Sequence, residues 1–348
     1  MRFENVYIES LGYHLPENVV TSEDLERRLA PLYEKLKLPF GRLEMMSGIR
    51  ERRFFEKGVF PSQVSSLAGE QALSKTDLDH KHVGCLISGS VCRDFLEPAT
   101  ASVIHHNLKL PNDSLVFDIS NACLGVLNGM VHVANMIEMG QIQAGLVVSG
   151  ENGGPLVDTT IETLLADPNP TRAKIKSAFA SMTIGSAAVA VLLVHKDLSK
   201  DGHRLMGAVG RAETRFNDLC QGNEDMGMGA GSSPLMETDS ETLMKEGCQL
   251  AKDTWSITKK EFGWQNQDVD KVFCHQVGHI HRKLLYETLE LDLKKDFSTL
   301  EYLGNTGSAA LPVTLAIGEE EGALQKGDTV TLLGIGSGLN CLMMGLEW

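Results

Sequence analysis

Apolar positions fall along the chain in two rhythms. Short β-branched or Leu-rich runs at residues 83–88, 115–119, 145–149, 187–194, 271–274 and 329–333 predict strands. Between them, residues 62–73, 99–107 and 243–258 carry amphipathic helical patterns. This alternation predicts an α/β protein with parallel sheets covered by helices.

Two places share one form. The strand at 115–119 is followed by a tight turn and Cys123, which heads a helical pattern of Leu124, Leu127, Val131 and Ile137 that ends at Gly140. Val272-Phe273-Cys274 is followed by His275 and a helix-like stretch at 280–289. Each puts a reactive side chain at the carboxyl end of a strand, the edge where open α/β sheets hold ligands. The repeat suggests an internal duplication. Residues 155–181, with Pro168 and Pro170, and residues 216–234, rich in Gly and Met, read as mobile or lid-forming segments or, equally, as tolerated surface insertions.

Composition narrows the classes. The 348 residues carry a net charge of −14, which repels phosphate backbones and argues against nucleic-acid binding. Low aromatic content (6%) with 34 glycines fits tightly turned α/β architecture rather than a β-sandwich. The seven cysteines are odd in number, widely spaced and without a Cys-x-x-Cys, so neither a disulfide framework nor a zinc site is expected. The first residues, Met1-Arg2-Phe3-Glu4-Asn5, lack a signal-peptide apolar region. The strongest apolar run, 187–194, is too short to span a bilayer. A cytoplasmic protein without a transmembrane segment is the expectation.

Four pieces carry candidate chemistry. Cys123 at a helix N-terminus would be favoured as thiolate by the dipole and free N–H groups, and a thiolate can take an acyl group from a thioester. His275, in Cys274-His275-Gln276-Val277-Gly278-His279, can move a proton at neutral pH. Asn305, in Gly304-Asn305-Thr306-Gly307-Ser308, offers an amide to a thioester or enolate oxygen. The run Gly334-Ile335-Gly336-Ser337-Gly338 allows close backbone approach, and the Ser337 N–H could join that of Cys123 at an oxyanion. Each alone has a plainer reading: an inert buried Cys, a structural His, a Gly-Asn turn. His279 and His281 lack an evident third ligand, so no metal is expected.

In this order and spacing the pieces resemble the ketoacyl-ACP synthase III branch of the thiolase superfamily. Ser47-Gly48-Ile49-Arg50-Glu51-Arg52-Arg53, Asn121-Ala122-Cys123, His275-Gln276, Gly304-Asn305-Thr306 and the Gly-rich tail carry the resemblance. It implies a five-layered αβαβα thiolase fold of two similar halves, residues 1–195 with the Cys and 196–348 with the His and Asn, in a homodimer. Two features depart from ordinary synthases. Arg42 and Met46 stand where that branch has a Trp and an Arg clamping the coenzyme A adenine. Glu97, in Asp94-Phe95-Leu96-Glu97-Pro98, replaces an apolar residue beside the pocket.

Glu97 and its surroundings are similar to the OleA family, which begins bacterial long-chain olefin synthesis by joining two fatty acyl-CoAs head to head. Ser90-Val91-Cys92-Arg93-Asp94, Asp218-Leu219-Cys220-Gln221-Gly222-Asn223 and the segment 333–341 extend the likeness. That resemblance implies non-decarboxylative Claisen condensation through acyl-Cys123. Glu97, reaching the site from the partner subunit, would remove the α-proton, its basicity raised by an apolar pocket. No cofactor is implied, since the acyl-CoA or acyl-carrier-protein thioester is the substrate; downstream olefin-pathway enzymes are implied partners. The alternatives are a decarboxylating 3-oxoacyl-ACP synthase III using malonyl-ACP, a 3-hydroxy-3-methylglutaryl-CoA synthase, whose Glu would fall near Val91, an acyltransferase of a secondary pathway, and a non-catalytic scaffold subunit.

Overall fold

The run at 187–194 folds as the strand Ala187–His195, and its pleat sets out the layering. Val189, Val191 and Leu193 face one apolar cluster, while Ala188, Ala190, Leu192 and Val194 face another. A strand so placed is covered on both faces, which is why its sequence is apolar throughout rather than alternating. The computed structural model describes residues 1–222, 235–275 and 277–348. Residues 223–234 of the Gly- and Met-rich segment, and Gln276, lie outside the described residues.

Among the described residues nine strands are linked in one sheet. Its N-terminal part runs Leu115–Ile119, Val83–Gly89, Ala144–Glu151, Ala187–His195 and Val6–His14. The C-terminal part runs Lys271–Cys274, Thr329–Gly336, Asn340–Glu347 and His203–Ala212. The two parts touch at a narrow seam, where Tyr7 pairs with Arg204 and Ile8 with His203. Chain order across the first part is third, second, fourth, fifth, first. The second part repeats this order, its third strand shrunk to a single parallel bridge from Asp296 to Val272.

Helices complete the stack. Gly125–Glu138 and Ala310–Glu320 lie between the two parts of the sheet; Val126, Leu127, Met130, Leu311 and Leu315 share one cluster with Leu193, Leu342 and Leu346. Pro61–Ser74 and Thr100–Asn107 cover the outer face on one side. Ser240–Phe262 and His279–Leu289 cover it on the other. The result is the five-layered αβαβα arrangement of the thiolase fold.

One stretch expected as a long loop is not one. Much of the segment read as a lid at 155–181 is helical, over Gly154–Ala166 and Arg172–Ser177. Pro155 stands in the first turn, where its missing N–H costs nothing, and Pro168 and Pro170 fall in the break between helices. Val157, Ile161 and Leu164 share a helix face and bury it against Leu25, Leu29 and Leu32. Among the described residues no helix is long and apolar enough to cross a membrane.

Candidate active site

Sequence order brings Cys123 to the carboxyl end of Leu115–Ile119, and the backbone then turns it sharply. Ala122 is held at φ +44, a left-handed conformation that costs a non-glycine residue roughly 1–2 kcal/mol. The Leu124 amide donates back to the Asn121 carbonyl at 2.9 Å, and the helix begins at Gly125 with Leu124 as its cap. Tight glycine packing locks this corner. A Cβ on Gly125 would meet the Gly89 carbonyl oxygen at 2.6 Å, so glycine lets the helix press on the end of Val83–Gly89.

The Gly-rich tail proves to be a hairpin. Thr329–Gly336 and Asn340–Glu347 are joined by a turn at residues 337–339, with Gly338 at φ +124. The hairpin tip lies against the nucleophile: a Cβ on Gly336 would stand 3.6 Å from the Cys123 backbone nitrogen. The Asn340 side-chain amide donates to the Ser337 carbonyl at 3.1 Å and to Asn121 Oδ1 at 3.3 Å, and Asn121 donates on to Asn128 at 2.7 Å. This amide chain ties the turn carrying Ser337 to the loop carrying Cys123.

His275 follows the strand Lys271–Cys274, and its amide donates to the Leu333 carbonyl of the same hairpin at 2.9 Å. The residue is only 4% exposed, and neither ring nitrogen has a hydrogen-bond partner among the described residues. Burial, with the neighbouring His281, pushes its pKa down to about 3, so the ring is neutral. Beneath it, buried Asp296 pairs with Arg282 and accepts from Tyr286 at 2.5 Å, fixing the next strand position against the helix His279–Leu289.

The Asn305 loop comes from the C-terminal part of the chain but binds the N-terminal part. Its amide donates to the Thr183 carbonyl and its carbonyl accepts from Gly185, both at 2.9 Å. Asn305 Oδ1 accepts from the Gly307 amide at 3.1 Å. Ser308, next along, contacts the Gly89 carbonyl at 2.6 Å and the carboxylate of Glu151 at 2.5 Å.

The thiol differs from expectation. Rather than being favoured as thiolate by the helix end, Cys123 is pushed up to about 12, first by burial and then by the nearby charge of Glu151 and by Cys220. Cys123 stands before the helix cap rather than in its first turn, and the buried carboxylate of Glu151 opposes a second negative charge. Cys123 and His275 are thus a neutral thiol and a neutral imidazole at rest.

Glu97 differs from these residues in exposure. It is exposed, and so are Val91, Phe95 and Leu96, each about half accessible. Phe60 and Phe95 pair with ring centroids 5.6 Å apart. A single chain therefore does not build the enclosing apolar pocket expected around Glu97. At the adenine-clamp positions, Arg42 and Met46 touch one another, with 3.7 Å between Nη2 and Sδ. Glu151, Ser308 and the Asn121–Asn340 link were not picked out by sequence reasoning. Glu151 had a signal, as an acid ending an apolar strand two places in the sheet from the one that leads to Cys123. Among the described residues no group of three His, Cys, Asp or Glu side chains could hold a metal.

A cysteine, a histidine and an asparagine on loops at one edge of two repeated sheets define a thiolase-type condensing enzyme. Residues 45–164 match the thiolase N-terminal domain, 117–213 match 3-oxoacyl-[acyl-carrier-protein] synthase III, and 260–348 match the C-terminal domain of that synthase. The chain is 44% identical to the acyl-CoA:acyl-CoA alkyltransferase of Shewanella oneidensis and 35% identical to that of Xanthomonas campestris, with 100% of each chain covered. It belongs to the acyl-CoA:acyl-CoA alkyltransferase family. Crystal structures of Xanthomonas campestris OleA are similar throughout. One with lauric acid and lauroyl-CoA bound has a TM-score of 0.93 at 35% identity, covering 99% of this chain and 100% of that one. One with cerulenin bound has a TM-score of 0.94, covering 100% and 98%.

Proposed function

We propose that the protein joins two fatty acyl-CoAs head to head by non-decarboxylative Claisen condensation. What supports this is the contact of the Gly336 hairpin tip with the Cys123 backbone, the hydrogen bond of His275 to Leu333 of the same hairpin, and the docking of the Asn305 loop on the N-terminal half. The boundary between the halves lies between His195 and His203, residues 1–195 bringing the nucleophile and 196–348 the His and Asn.

In the first half-reaction the Cys123 sulfur attacks the thioester carbon while neutral His275 takes the thiol proton. The Cys123 and Ser337 backbone N–H groups receive the oxyanion. Collapse breaks the carbon–sulfur bond to coenzyme A, which leaves as a thiol with the proton from His275. In the second, Glu97 removes the α-proton of the incoming acyl-CoA. His275, as an uncharged N–H donor, and the Asn305 amide hold the enolate oxygen. The α-carbon attacks acyl-Cys123, a carbon–carbon bond forms, the acyl carbon–sulfur bond to Cys123 breaks, and the departing thiolate takes up one proton as Glu97 gives up the one it removed. The product is a 2-alkyl-3-ketoacyl thioester, and no cofactor enters.

Glu97 acts across a homodimer interface in this reading. Its support is the exposed apolar patch of Val91, Phe95 and Leu96 around it, and the edge strand Leu115–Ile119, whose Leu115 is also about half exposed. Buried between copies, that patch would supply the pocket one chain lacks. Seven free cysteines support a reducing, cytoplasmic setting, with downstream enzymes of olefin synthesis as partners. The decarboxylating alternative has weaker support, since β-ketoacyl-ACP synthase III of Koribacter versatilis is 26% identical.

Incubation with lauroyl-CoA alone, without malonate, tests the reading by mass spectrometry of the products. A C–C coupled β-keto thioester, its free acid or the ketone from decarboxylation is expected. Accumulation of acyl-Cys123 with no coupled product would refute it.

A further inference from the structure

Glu151 ends the strand Ala144–Glu151, is 4% exposed, and pairs with no Lys, Arg or His among the described residues. A buried carboxylate without a cation is costly, and this one is held by hydrogen bonds alone. Its Oε1 lies 2.5 Å from the Ser308 hydroxyl, whose one proton is shared with the Gly89 carbonyl at 2.6 Å, and accepts from the Ser308 amide at 3.3 Å and from Ser149 at 3.5 Å. Ser308 comes from the other half of the chain. Gly307, at φ +59, lies directly on the carboxylate, where a Cβ would approach Glu151 Cδ to 3.1 Å.

That contact bears on the chemistry through Asn305. The Gly307 N–H occupies Asn305 Oδ1, which turns the Nδ2 hydrogens, the only donors of that side chain, away from the loop. An enolate oxygen needs donors, so the placement of Gly307 decides whether Asn305 can serve it. We propose that Glu151 is a positioning residue for carbon–carbon bond formation: by gripping Gly307–Ser308 it fixes the Asn305 amide, donor outward, over Cys123 of the opposite half. The inference rests on the condensation reading. It separates the two half-reactions, because loading of Cys123 uses backbone N–H groups and His275 but not Asn305. The charge of Glu151 also opposes ionisation of Cys123, which gives the carboxylate a second, independent readout.

The test measures acyl-Cys123 formation from lauroyl-CoA and coupled product separately, in Glu151→Ala, Glu151→Gln and Ser308→Ala. In Glu151→Ala, loading is no slower than in the wild type while coupling falls about 100-fold, the scale of losing one oxyanion donor. Glu151→Gln keeps the Oε1 acceptor and restores most of the coupling, yet its Cys123 alkylates faster than wild type at pH 8 because the charge is gone. Ser308→Ala, which keeps the carboxylate, loses coupling without the faster alkylation. Equal loss of both half-reactions in Glu151→Ala and Ser308→Ala, or full coupling in either, would overturn the inference. Absence of coupling in the wild type would instead refute the condensation reading.

Discussion

The neutral thiol–imidazole pair makes a sharp prediction about Cys123 in the free enzyme. Its pKa of about 12 stands against an ordinary value of 9.0. At pH 8 an ordinary cysteine is about 10% thiolate, whereas this one is about 0.01%, so alkylation should be slower by roughly 1,000-fold. Iodoacetamide in excess, with the Cys123 peptide followed by mass spectrometry from pH 6 to pH 10, provides the assay. The same cysteine in urea-unfolded protein is the reference. The native rate should rise about tenfold per pH unit without levelling off. Restricted access would lower the whole curve but leave its slope alone, so the shape decides. A plateau with a midpoint below pH 8 would refute the argument, because it would mean that a thiolate–imidazolium pair exists at rest and that His275 is not held neutral.

Three further outcomes follow from the same geometry. Mixing Cys123→Ala with Glu97→Ala protomers should restore activity to about a quarter of wild type, since half the dimers are mixed and each has one complete site; no recovery would place Glu97 and Cys123 in the same chain. His275 and His281, depressed by burial to about 3 and about 4, stay neutral when folded, while the unfolded chain takes up protons below about 6.5. Folding stability should therefore fall as pH drops through that window, by on the order of 2 kcal/mol per histidine at pH 5. Urea titrations at pH 7 and pH 5 measure it, and an unchanged difference in the His275→Gln/His281→Gln variant would count against it. Arg282→Leu leaves Asp296 buried without its cation and should cost about 3–5 kcal/mol of stability, with partial recovery on adding Asp296→Leu; equal losses in the single and double variants would refute the pairing argument.

The strands legible in the sequence include the two that lead into reactive residues. Leu115–Ile119 and Lys271–Cys274 are found at the residues expected, because β-branched or apolar runs ended by a reactive residue leave little ambiguity. Val6–His14 and His203–Ala212 were not singled out: Glu9, Ser10 and Gly12 interrupt the first, and Arg204, Gly207 and Gly210 the second. Both lie at the seam, where pairing across the halves supplies what local pattern does not. The helix after Cys123 was expected to end at Gly140, and Gly140 at φ +67 does follow its last turn.

The site divides along the same line. Cys123, His275 and Asn305 each sit in a local motif, so a reader of the chain can find them singly. What relates them lies in contacts far apart in sequence: Asn121 with Asn340 across 219 residues, and Glu151 with Ser308 across 157. Even so, the rule that found Cys123 and His275, a reactive side chain at the carboxyl end of a strand, applies equally to Glu151. In sequence, a carboxylate ending an apolar strand reads equally as the point where the chain returns to solvent. The structure buries it instead, close enough for its charge to bear on Cys123, and that burial separates it from a strand-end charge that merely marks a surface. Glu97 is the opposite case. Its sequence context suggested an enclosing pocket, yet one chain leaves it exposed, so its role depends on a surface that only a second copy can cover.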